Sequence, residues 1–123
     1  MSRSAVSVFV FSIYLYLLGL VLVIIPDTLL GIFHFPETGG LWIRVVGALV
    51  VILGFYYWHA ARAEFRPFLA WTVIARTSVL LFFIAFVIAG LAPPVLILFG
   101  VIDFAGAMWT FFAMRSESVI FIG

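Results

Sequence analysis

The stretch VLILFGVIDFAGAMWTFFAM, residues 95–114, decides how this chain is read. It carries one charge, Asp103, near its middle. About 20 apolar residues is the length that crosses a ~30 Å hydrocarbon core as a helix. A carboxylate at the centre of such a helix costs about 2.5–3.5 kcal/mol on insertion scales. The stretch therefore predicts a membrane helix, and it predicts that something meets Asp103 inside the bilayer.

Working outward, three more apolar stretches of similar length stand at residues 5–25, 41–60 and 68–91. Backbone in hydrocarbon must satisfy its own hydrogen bonds, which makes these segments helices. A membrane barrel would instead show ten-residue segments alternating in polarity, and the sequence has none. The expected fold is all-α: a polytopic membrane protein built as an antiparallel up-down-up-down four-helix transmembrane bundle. It forms one domain over residues 1–123, with residues 115–123 as a flexible tail.

The connections support that topology. Pro26 ends the first helix, and Gly39 and Gly40 allow the turn into the second. Between them, LLGIF is too apolar to float in water, so a short interfacial helix or re-entrant piece is expected there. The second link, RAEFRP, is short and charged. The third holds Pro93 and Pro94, tight enough to force a hairpin. Short links favour helices packing in chain order. The first apolar run is longer than the roughly 7–15 residues of a signal peptide, and no small-x-small site precedes Pro26. It reads as a retained membrane helix.

Composition narrows the function classes. The chain is 67% hydrophobic and 9% charged, against roughly 25% charged residues in a soluble domain. A net charge of +1 with scattered arginines does not suit nucleic acid. Without Cys there is no disulfide, thiolate or Cys-ligated metal chemistry. Without Lys there is no Schiff base or P-loop. Ser4, Ser7, Ser12 and Ser78 have no nearby His in sequence and no G-x-S-x-G context. Glu64 and Glu117 read as ordinary loop carboxylates. His34 and His59 fall near opposite membrane faces, read as interfacial, and lack partners at metal-ligand spacing. No catalytic set and no metal site emerges.

Arginines set the expected orientation. Arg3, Arg62, Arg66 and Arg115 flank one side, and only Asp27 and Glu37 lie in the loops of the other. Positively charged flanks stay cytoplasmic, so both termini are expected in the cytoplasm. Tyr56, Tyr57, Trp58, Trp71 and Trp109 are expected near that face and Trp42 near the other.

The polar residues inside the spans form a purely structural network, a ligand-binding pocket or a proton or ion path, and they carry the functional argument. Counting 1.5 Å per residue puts Asp103 roughly 2 Å outward of mid-span, Arg76 roughly 5 Å inward and Arg44 roughly 10 Å outward. Asp103 is thus bracketed in depth, and an arginine can snorkel several ångströms along its helix. Each charge also lies on a stripe of small or polar residues, the usual make-up of a membrane helix interface. Arg44 lies with Gly47, Val51, Gly54 and Trp58. Arg76 lies with Leu69, Thr72, Phe83 and Gly90. Asp103 lies with Gly100, Gly106, Ala107 and Thr110. The expected polar core is Arg44, Arg76 and Asp103, with Thr72, Thr110 and, from the outer interface, Glu37. Loss of Asp103 is expected to harm the fold by leaving the arginines unpaired.

Three stretches, LWIRVVGALVVILGFYYW, RPFLAWTVIART and GVIDFAGAMWTFFAMR, together resemble small four-helix bacterial inner-membrane proteins, loosely akin to the DoxX-like group. The likeness covers most of the chain from about residue 41. It implies a bacterial inner (plasma) membrane location and contact with quinone or a partner subunit.

Three functional readings follow. The first is a non-enzymatic membrane module whose polar core binds a lipid- or quinone-like ligand with an acidic or carbonyl head, or a membrane protein partner. Spare guanidinium donors in a dry site suit such heads. The second is a membrane enzyme or redox subunit acting on quinone or lipid. The third is an oligomeric channel or small transporter, which would need a polar stripe along a whole helix rather than one cluster.

Overall fold

The computed structural model describes residues 1–35 and 41–122, with side chains as far as Glu117. Its described residues are helical throughout, apart from the connections: α1 (Arg3–Ile24), α2 (Pro26–Ile32), α3 (Leu41–Arg62), α4 (Arg66–Ile88) and α5 (Leu96–Ile122). The four long helices are each apolar and long enough to cross a membrane. This is a small membrane protein, and its architecture is an antiparallel four-helix bundle.

Each element has a local cause. Ser2 caps α1, its hydroxyl accepting from the Ala5 amide and so satisfying one of the orphan N–H groups of the first turn. Proline opens both α2 and α4 near N1, where its missing N–H costs nothing. The α2 helix is the short apolar element expected between the first two spans. The α3 helix closes with the Phe65 amide bonded to the Ala60 carbonyl, which places Glu64 in the left-handed region at φ 54°. That is a glycine-type C-terminal cap made by a glutamate. Pro93 and Pro94 lie in the turn between α4 and α5, where Gly90 adopts φ +76°. The α5 helix continues to Ile122, so residues 115–122 are helical.

Packing does not follow chain order. The α1 helix is the centre of the bundle, packed along its length against α3 on one flank and α5 on another. The α4 and α5 helices form a tight hairpin, whereas α3 and α4 scarcely meet. The apolar core sits toward the end that holds the α3–α4 turn. Ala5, Val8, Phe11 and Leu15 of α1 meet Tyr57 and Ala61 of α3 and Leu69 of α4 there. Tyr57 is part of that core rather than of an interfacial belt.

The α1–α3 seam is made by glycines. A Cβ on Gly19 would stand 2.7 Å from the Gly47 carbonyl oxygen and 2.8 Å from the Val51 amide nitrogen. A Cβ on Gly47 would stand 2.9 Å from the Gly19 carbonyl oxygen. The two backbones touch, and any side chain there would force them apart. The sequence stripe through Gly47 and Gly54 is therefore a real interface, but it faces α1.

Candidate functional site

The centre of the bundle holds a buried guanidinium. Arg76 is 2% exposed, the largest side chain so deeply buried. Side chains on a helix lean toward its N-terminus, and Arg76 follows that rule. Its Nε donates to the Thr72 carbonyl (3.2 Å), and its Nη2 donates to the Thr72 hydroxyl (3.0 Å) and the Thr110 hydroxyl (2.8 Å). Thr110 also shares a 2.6 Å hydrogen bond with Ser7, so one chain of polar groups joins α4, α5 and α1. The Phe11 ring lies 4.8 Å from the guanidinium carbon and the Tyr57 ring 5.8 Å away. A desolvated cation over aromatic faces gains up to about 2 kcal/mol. Gly106 makes the room: a Cβ there would stand 3.0 Å from Nη1 of Arg76 and 2.8 Å from the Phe11 ring.

One atom is left over. Nη1 of Arg76 is buried and has no hydrogen-bond partner among the described residues. Leaving a buried donor unmade costs about 1–3 kcal/mol, and more when it is charged.

Asp103 is half-buried and near enough to Arg76 for the opposite charges to act on each other. Its charge also reaches Tyr14 and Tyr57. Yet no hydrogen bond or ion pair joins the Asp103 side chain to any group among the described residues. The reason is directional. The α4 and α5 helices are antiparallel, so Arg76 leans toward the α3–α4 turn and Asp103 leans toward the opposite end. Similar depth of the two backbones does not bring the two heads together.

The structure thus brings Arg76, Thr72 and Thr110 into direct contact, sets Asp103 beside them without a bond, and leaves Arg44 elsewhere. Arg44 is exposed, and its Nε donates to the Val23 carbonyl (2.9 Å). Val23 lies in the last turn of α1, which has no basic residue of its own. A cation there satisfies an orphan carbonyl and complements the helix dipole. Arg44 caps α1 and is not part of the polar core. Glu37 lies outside the described residues. The hydrogen bonds of Arg76 go to threonines, and Asp103 acts on it through charge alone.

Sequence reading missed α1. Ser4, Ser7, Ser12 and Gly19 lie on its buried face with Ala5, Val8 and Phe11. Small residues at three- and four-residue steps in an apolar helix were the available signal. Glu117 was missed as well. It lies on α5, accepts from the Ser4 amide (2.9 Å) and hydroxyl (2.6 Å), and pairs with Arg66 at 2.9 Å. Glu64 accepts from the Ser2 amide at 2.9 Å and from its hydroxyl. These hydrogen bonds hold the exposed Glu64 carboxyl below the usual carboxylate range. Neither glutamate is an idle loop carboxylate: together they tie the start of α1 to the α3–α4 turn and to α5.

His34 ends α2 at φ 59°, and His59 lies near the far end of α3 with its ring 4.4 Å from Phe55. Among the described residues no three of His, Asp and Glu converge on a point. No family model, curated protein or solved structure matches the chain.

Proposed function

We propose that the protein is a non-enzymatic binding module of the membrane, holding the polar head of an apolar ligand between Arg76 and Asp103. The observation that carries this reading is the pair of unmet groups. Among the described residues, Nη1 of Arg76 lacks an acceptor while fully buried, and the nearby Asp103 carboxylate lacks a donor. A ligand head with an acceptor next to a donor, such as a carbonyl beside a hydroxyl, meets both needs at once. Phe11, Tyr14 and Tyr57 supply apolar faces around it. Lipid-like and quinone-like molecules both have such heads, and the second class is what the DoxX-like resemblance implies.

The same reading puts both termini in the cytoplasm of a bacterial cell, with the bundle in its inner membrane. Arg3, Arg62, Arg66 and Arg115 gather at one end of the bundle, as the positive-inside bias requires. A reporter fused to the C-terminus is expected to be active only in the cytoplasm.

Native mass spectrometry of the protein purified from membranes tests the binding. The wild type and Arg44→Gln are expected to carry a small apolar adduct. Asp103→Asn and Arg76→Met, each checked for helix content, are expected to lose it. A wild type that carries no adduct lost in Asp103→Asn contradicts the proposal.

A further inference from the structure

A second feature lies on the outer surface, away from Arg76. At the end of the bundle where α1 begins, α1 and α5 leave a groove of about 580 Å³ between them. Val6, Trp109, Phe112 and Ala113 line its apolar part, and Arg3 and Ser116 line its polar part. The order along the helices matters. Arg3 opens α1, and Ser116 lies one residue from the end of the apolar span of α5. Val6, Trp109 and Phe112 lie a turn or two deeper. The groove therefore runs from headgroup depth into acyl-chain depth, with its charge at the shallow end.

That charge is available. Arg3 is exposed and has no ion-pair or hydrogen-bond partner among the described residues. The acids at this end are turned to other work: Glu117 is held by Ser4 and Arg66, and Glu64 by Ser2. A cation without a competing acid, above an exposed Trp and Phe at the boundary of an apolar span, matches a phosphate above an acyl chain.

We infer that the groove binds one phospholipid with an anionic headgroup, its phosphate on Arg3 and its acyl chain against Trp109 and Phe112. This site is independent of the Arg76–Asp103 proposal, because it uses other helix faces and other residues.

The test is lipid retention in native mass spectrometry. The full chain is released from micelles holding equal phosphatidylglycerol and phosphatidylcholine with identical acyl chains. The wild type is expected to keep phosphatidylglycerol preferentially. Arg3→Gln is expected to cut that preference roughly fivefold, the factor for one arginine at an anionic surface. Arg3→Lys should keep it, as should Arg62→Gln. Equal retention of the two lipids by the wild type overturns the inference. So does a preference that Arg3→Gln leaves intact, or one that Arg62→Gln reduces as much. A lipid-free dimer that buries the groove against a second copy overturns it too.

Discussion

The two flanks of α1 hold their neighbours by opposite means. Against α3 the contact is dry and depends on shape: Gly19 and Gly47 let two backbones touch. Against α5, and through it α4, the contact is polar: Ser4 binds Glu117, and Ser7 binds Thr110, which binds Arg76. Lipid tails are as apolar as leucine, so burial of apolar surface does not drive helices together inside a bilayer. Close packing and hydrogen bonds remain: packing carries the α3 side, where only Arg44 bonds across at the end of α1, and buried hydrogen bonds carry the α5 side. The polar flank also leaves something unspent, the Nη1 of Arg76 and the carboxylate of Asp103.

The comparison can be broken at several points. The largest effect is expected at Arg76. Arg76→Ala removes the charged hydrogen bonds and opens a cavity, for a loss of about 3 kcal/mol or more in unfolding from mixed micelles. Arg76→Met should recover much of that loss, because an apolar side chain of similar length can replace a buried charge. If alanine and methionine are equally damaging, the arginine is held by something beyond its threonine contacts.

Next comes the dry flank. Gly19→Ala puts a Cβ against backbone atoms and is expected to cost about 1–3 kcal/mol. Gly54→Ala meets its nearest neighbours at 3.3–3.4 Å and should be close to neutral in the same assay. Equal costs would mean that the seam does not depend on backbone contact. Asp103→Asn is expected to change stability by less than about 1 kcal/mol, since it breaks no hydrogen bond. A large loss there would restore Asp103 as a structural partner.

The smallest effect belongs to Glu64. Its folded pKa lies below the ordinary value near 4.5, so its contribution is fully present above that pH and is lost as pH falls through the lower value. Glu64→Gln should flatten stability over that acidic window and leave neutral pH nearly unchanged, read from unfolding curves at stepped pH. No change in the acidic slope would mean that the Ser2 contact contributes nothing.

Hydropathy was enough for the four spans, because length and apolarity alone decide what crosses a bilayer. The stripes on α4 and α5 made Arg76, Thr72 and Thr110 legible. What failed was direction. Depth follows the backbone, whereas helices of opposite polarity carry their side chains opposite ways, so Arg76 and Asp103 share a depth without a bond. Arg44 failed differently: its glycine stripe was real but faces α1, and nothing in one helix names the neighbour it packs on. The serines of α1 lack the partners of a nucleophile, and their spacing marks a buried face.

A pair of double-mutant cycles tests the central claim most directly: Arg76 belongs to Thr110 and not to Asp103. Stability is measured for Arg76→Met with Thr110→Val, and for Arg76→Met with Asp103→Asn. The account predicts a coupling of about 1 kcal/mol or more in the first cycle and less than about 0.5 kcal/mol in the second. A strong Arg76–Asp103 coupling alongside a weak Arg76–Thr110 coupling would contradict it.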